Sequence, residues 1–134
     1  MKNKTGCKLM DKVKKTERGW GGHFCCADMC LFRRNTLLEY NDKKFVVSTV
    51  GNMKNNDGPM EEIGCDRFYE TMVFEAKYYE PYWDADVSKE INFESNWCLN
   101  KKDIKNKTNK TNCDNLANEM HEKVVEEMIE KIKE

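Results

Sequence analysis

Four arginines, Arg18, Arg33, Arg34 and Arg67, stand in a chain that otherwise carries its positive charge on nineteen lysines. Lysine serves where charge alone is wanted, so each arginine marks a place for a planar, five-donor fork. Arg33 and Arg34 are adjacent, with Asn35 beside them. On an extended segment they point to opposite faces, so at most one of them faces a given pocket. The chemistry offered is bidentate recognition of a phosphate or carboxylate. The competing reading is an ion pair, with a carboxylate such as Glu39 or Glu70.

A second group follows in Tyr78, Tyr79, Tyr82, Trp83, Phe93 and Trp97, with Asn92 and Asn96 among them. Aromatic faces for a base, amides for its edge and an arginine for phosphate would together hold a flat, anionic ligand. The candidate ligand-binding residues are Arg33, Arg34, Asn35, Tyr82, Trp83, Asn92 and Phe93. The alternative is an aromatic core corner beneath a helix. No Gly-rich dinucleotide turn, P-loop or zinc-deaminase pattern is present, so no cofactor is expected.

His23, Cys25, Cys26 and Cys30 form the third group. In an extended segment His23 and Cys25 share a face, the arrangement a Cys–His nucleophile needs, with Asp28 or Asn35 to orient the base. His23, Cys26 and Cys30 are metal-ligand types, but a structural zinc site takes paired ligands, and Cys65, Cys98 and Cys113 are isolated. Small buried cysteines in strands are the commoner outcome, and no metal is expected. Asp84, Asp86, Glu90 and Glu94 match neither a calcium loop nor a hydrolase carboxylate pair, and read as solvated edge charge.

These residues need elements to hold them. From Cys30 the side chains alternate, Cys30, Phe32, Arg34, Thr36, Leu38 and Tyr40 against Leu31, Arg33, Asn35, Leu37 and Glu39. Asn41-Asp42 is turn chemistry, and Phe45 to Val50 returns with β-branched residues, which predicts an antiparallel hairpin over about 30–50. Arg67 to Lys77 alternates with both faces fairly apolar, which suits a central strand. Tyr78 to Asp84 reads as an aromatic loop or bulge, and Val87 to Phe93 as a shorter strand. Residues 1–17 form a mobile arm or a short helix, and 100–112 a solvated linker. From Leu116 the apolar residues recur at helical spacing, with Asp114 or Asn115 as cap. Their arc, about 200° wide, exceeds what one sheet contact needs and suggests a second copy of the chain.

The expectation is one α+β domain over 1–134, with a sheet of five or six antiparallel strands in 18–99 and a helix in 113–134 packed on it. The net charge of −1 is unevenly spread: residues 1–18 are basic, 57–94 acidic and 101–112 basic. A nucleic-acid binder would be more uniformly basic. No apolar run approaches the ~20 residues of a membrane span, and the N-terminal residues lack the apolar segment of a signal peptide. A cytosolic protein with reduced thiols is expected.

The wording of 18–51, with RFYETMVFEAK and NLANEMHEKVVEE further on, resembles small proteins encoded by phages and prophages. In size and layout the chain is most similar to the Thoeris anti-defence cyclic ADP-ribose sponges. That resemblance implies a homodimer that sequesters a small anionic nucleotide signal without cleaving it, in pockets lined by arginine and aromatic side chains. The rival readings are an inhibitor that docks on a host defence protein through the acidic middle, and a cysteine hydrolase using His23 and Cys25.

Overall fold

The computed structural model describes residues 12–24, 27–53, 61–92, 97–104 and 109–134. The chain forms an antiparallel sheet with one helix packed on it, as the alternation and the helical spacing predict. The strands are β1 (Lys14–Arg18), β2 (Cys30–Tyr40), β3 (Lys43–Met53), β4 (Tyr69–Tyr79), β5 (Tyr82–Ile91) and β6 (Cys98–Leu99). They lie in the order β1-β2-β3-β4-β5, with β6 also paired to β4. The helix, α1, spans Lys110–Ile132. No helix among the described residues is long and apolar enough to cross a membrane.

The β2–β3 hairpin is the centre of the sheet. Its register runs from Tyr40↔Lys43 to Cys30↔Met53, and Asn41 takes the left-handed conformation that the turn requires (φ 57°). Phe32, Thr36 and Leu38 of β2 and Val47 and Thr49 of β3 face α1, while Asn35, Leu37, Val46 and Ser48 face the other way. Both faces are covered, which is why ten of the eleven residues of β3 are at least half-buried.

Three elements differ from the sequence expectation. Residues 14–18, of which 14–17 lie in the expected arm or helix, form an edge strand: Lys14 pairs with Glu39 and Arg18 with Asn35. A short, lysine-rich strand suits an edge because it resists further pairing. The aromatic run 78–84 is not a loop. Tyr78 pairs with Trp83 and Tyr79 with Tyr82 across a tight Glu80–Pro81 turn, where the proline needs no ladder donor. The irregularity falls further along, where Asp86–Lys89 of β5 bulge opposite Glu75, with Asp86 accepting bonds from the amide and hydroxyl of Ser88.

The third difference is the 100–112 segment. Its one apolar residue in the described part, Ile104, is buried with Phe32, Phe68, Tyr69, Ala117 and Met120. Helix α1 then begins at Lys110, capped by Asn109, whose side chain accepts from the Asn112 amide at 3.2 Å. Asp114 lies inside the helix and binds the Tyr69 hydroxyl and the Asn52 amide.

The broad apolar arc of α1 is absorbed within the chain. Ala117, Met120, Val124, Val125, Met128 and Ile132 are buried, and Ile129 is half-buried. Val13, Tyr40, Phe45, Ile91 and Trp97 close around the lower half of the contact. Only Leu116 of the set is exposed, so the helix has no broad apolar face left for a second copy.

Candidate functional site

The arginine pair separates as its strand geometry requires. Arg33 is exposed. Arg34 sits between β1 and α1, where its fork meets both carboxylate oxygens of Glu17 (3.1 and 2.7 Å), Glu122 (2.7 Å) and Asn118 (3.3 Å). Its partners are thus Glu17 and Glu122, not Glu39 or Glu70. Asn35 is fully buried on the opposite face, where its oxygen accepts from Arg18 Nε and Nη2 (3.0 and 2.8 Å) and its nitrogen donates to Asp84 (3.0 Å).

Asp84 organises that corner. It accepts from the Trp20 indole at 2.7 Å and from its own neighbour's amide, Ala85, at 2.8 Å. Arg18 also donates to the Trp83 carbonyl at 2.7 Å and lies 4.8 Å from the centre of the Trp20 ring. Tyr82 meets Trp20 at 5.3 Å between ring centres. Asn35, Tyr82 and Trp83 are therefore brought to one corner, where the Asn35 amide, the Trp83 carbonyl and the Tyr82 ring hold β5 to the β1 end of the sheet. Asp84 is a structural hub, not solvated edge charge, and sequence spacing has no means of pairing it with residues sixty-odd positions away. Asn92 lies elsewhere, at the end of β5, and Phe93 is outside the described residues.

His23 is buried in a chain of polar groups. Its Nδ1 lies 2.7 Å from Ser48 Oγ and its Nε2 3.1 Å from Glu70, while Arg67 pairs with the other oxygen of Glu70. Ser48 Oγ accepts the Gly22 amide at 3.0 Å, which leaves its proton for Nδ1 and places the ring proton on Nε2, toward Glu70. The hydrogen bond from His23, aided by the charge of Arg67, holds Glu70 below the usual carboxylate range despite burial. The order serine, imidazole, carboxylate resembles a hydrolytic triad, but Ser48 has no exposed surface and Gly22 covers it. A side chain on Gly22 would strike Ser48 Cβ and Oγ at 2.8 and 2.9 Å. The arrangement pins the β1–β2 connection to the sheet. Cys25 and Cys26 are outside the described residues, and Cys30 is buried.

An open site does exist at the edge of β4. That strand changes partner from β5 (Val73↔Ile91) to β6 (Glu70↔Cys98), and the gap between them is a notch of about 310 Å³. Its wall includes Arg67, Glu70, Glu90, Asn92, Trp97 and Cys98. The Arg67 side chain is 42% exposed, so it has donors to offer beyond the one Glu70 takes. The Trp97 indole Nε1 is buried behind that wall, with no hydrogen-bond partner among the described residues. Burial pushes the Cys98 thiol up, which keeps it protonated and a poor nucleophile. A second, apolar groove of about 550 Å³ lies beyond Met72, beside Gly22, His23, Phe24, Phe74 and Val87.

Among the described residues no group of histidine, cysteine and carboxylate side chains is arranged to hold a metal ion. Comparison of the chain with protein-family models, curated proteins and solved structures returned no match.

Proposed function

We propose that the chain is a non-catalytic binding protein that sequesters a small nucleotide-type anion in the β4-edge notch. The observation that carries the reading is the Arg67 guanidinium, 42% exposed in the wall of a cavity that Asn92 and Trp97 also line. Arg67, in place of Arg33 or Arg34, supplies the fork for a phosphate. Asn92 offers donor and acceptor to a base edge, and Glu90 accepts from an exocyclic amine. The notch is at the small end of ligand pockets, which favours one base with its phosphate. The reading keeps the function implied by the resemblance to phage anti-defence sponges and moves the pocket.

The test is retention of ligand. The protein is equilibrated with a mixture of mononucleotides and cyclic nucleotides, separated, denatured, and the released compound identified by mass spectrometry. An unaltered nucleotide is expected at one per chain. Arg67→Lys should weaken retention about tenfold, for the loss of about 1.4 kcal/mol, and Arg33→Lys should leave it unchanged. No retained nucleotide, or a chemically changed one, refutes the reading.

One observation favours the second reading, docking on another protein. Tyr78, Tyr79, Tyr82 and Trp83 are 50, 47, 55 and 37% exposed at the tip of the β4–β5 hairpin, in the acidic middle of the chain. Exposed tyrosine and tryptophan are the residue types that dominate interface energetics. A host protein recovered with the wild type and lost with Tyr82→Ala and Trp83→Ala, while those variants bind nucleotide normally, would support it.

A further inference from the structure

We propose, resting on the nucleotide reading above, that the notch selects guanine, with Glu90 on the donor edge of the base and Arg67 on the phosphate. The two ends of the notch differ in charge. Arg67 stands at the β6 end, bound to one oxygen of Glu70, whose other oxygen is 3.1 Å from His23 Nε2. Both oxygens of Glu70 are thus engaged. Glu90 stands at the β5 end and is exposed. Register sets the spacing between them. Glu70 lies opposite Cys98 of β6, and Glu90 of β5 lies opposite Phe74. Glu70 and Phe74 are four residues apart on β4 and share a face, which Glu90 shares as the cross-strand partner of Phe74. Four residues of strand span about 13 Å. The reach of the two side chains shortens that to the length of a mononucleotide, from its phosphate to the pairing edge of its base. Asn92 follows Ile91, which lies opposite Val73, and so falls between the two ends.

A carboxylate only accepts hydrogen bonds, so it discriminates among bases. Guanine presents two adjacent donors, N1–H and the N2 amine, which meet the two oxygens of one carboxylate. Its O6 accepts from the amide of Asn92. Adenine and cytosine each set a ring-nitrogen lone pair beside their amine, and that lone pair would face Glu90. Uracil has a single N–H between two carbonyl oxygens. The phosphate is repelled from the Glu90 end and drawn to Arg67, which fixes the direction of the ligand. The base differs from the adenine of cyclic ADP-ribose, and the acceptor at the β5 end of the notch is the reason.

The test is equilibrium dialysis of the whole chain against guanosine, inosine and adenosine 5′-monophosphates, one at a time. The guanine nucleotide should bind at least about tenfold tighter than the adenine one, the value of a hydrogen-bond pair to a charged group. The inosine nucleotide, which keeps N1–H and lacks the N2 amine, should fall between them. Glu90→Gln, a conservative change at an exposed position, should reverse the preference, because a carboxamide offers one donor and one acceptor and so matches adenine. Arg67→Lys should weaken all three by a similar factor, since they share the phosphate. Adenine binding as tight as guanine, or a ratio unmoved by Glu90→Gln, overturns the selection and leaves the nucleotide site standing. A ratio changed by Arg67→Lys would place the base at Arg67 and overturn the assignment of the two ends. Absence of binding by all three overturns the site, and the selection with it.

Discussion

His121 of the helix bridges two strands of the sheet, with Nε2 2.8 Å from Thr36 Oγ1 and Nδ1 2.7 Å from Thr49 Oγ1. The direction of each bond follows from the far end of the chain. Burial pushes Glu17 up, but hydrogen bonds from Arg34 and Thr36 hold it below the usual range, so it is an ionised acceptor. Thr36 gives its proton to Glu17 at 2.8 Å and must accept from Nε2–H. Nδ1 then accepts from Thr49, and Thr49 from Thr71 at 2.5 Å. Every proton in the network has a place only when the imidazole is neutral.

The first prediction concerns pH. Burial, with the nearby charge of Arg34, holds His121 down to about 4, against 6.5 when unfolded. The folded value lies below the unfolded one, so stability is complete above about pH 6.5 and declines as the unfolded chain takes up the proton between 6.5 and 4. The loss should reach about 3 kcal/mol at the lower end. Glu17 and Glu70, held below 4.5, add their losses only beneath that value. Urea unfolding between pH 7 and 5 should show the decline, and His121→Gln should flatten it. A flat wild-type profile refutes the assignment.

The two adjacent arginines should respond differently to lysine. Arg34→Lys forfeits the fork to Glu17 and cannot also reach Glu122 and Asn118. The loss is expected to be about 1 kcal/mol, because both carboxylates are about half exposed and solvent screens them. Arg33→Lys should stay within about 0.5 kcal/mol. Equal effects in chemical denaturation would contradict the placement.

Gly51 lies where β3 meets the start of β4. A Cβ there would meet the Phe68 carbonyl, Tyr69 Cδ2 at 2.5 Å and Tyr69 Cα at 2.7 Å. Two of these obstacles are backbone and cannot rotate away. Gly51→Ala is expected to destabilise by about 1–3 kcal/mol through overpacking. A thermal midpoint within a degree of wild type would show that the strands have more room than this.

Ile104 tests whether its segment is anchored. It is 2% exposed against Phe32, Tyr69 and Met120. Ile104→Ala should cost about 3 kcal/mol, a core-sized loss that a solvated linker would not show. A change under about 0.5 kcal/mol in urea unfolding would restore the linker reading.

What the amino-acid sequence by itself determined is local. Side-chain alternation over 30–40 and β-branched residues over 45–50 specify paired strands, because a one-residue slip would turn Leu38 and Val47 out of the core. Asn41-Asp42 specifies the turn. Helical spacing in 116–132 specifies a helix with one apolar side. Only the tertiary structure decided which polar residues meet. Arg18, Asn35 and Asp84, like Arg67, Glu70 and His23, come together because strands distant in sequence are neighbours in the sheet. The strand β1 forms for the same reason: Lys14–Arg18 has no apolar alternation, and its ladder partners on β2 supply the structure. The notch has no sequence signature at all. It is the gap left where β4 exchanges one partner strand for another, and side-chain pattern records periodicity along a strand, not the place at which its neighbour changes.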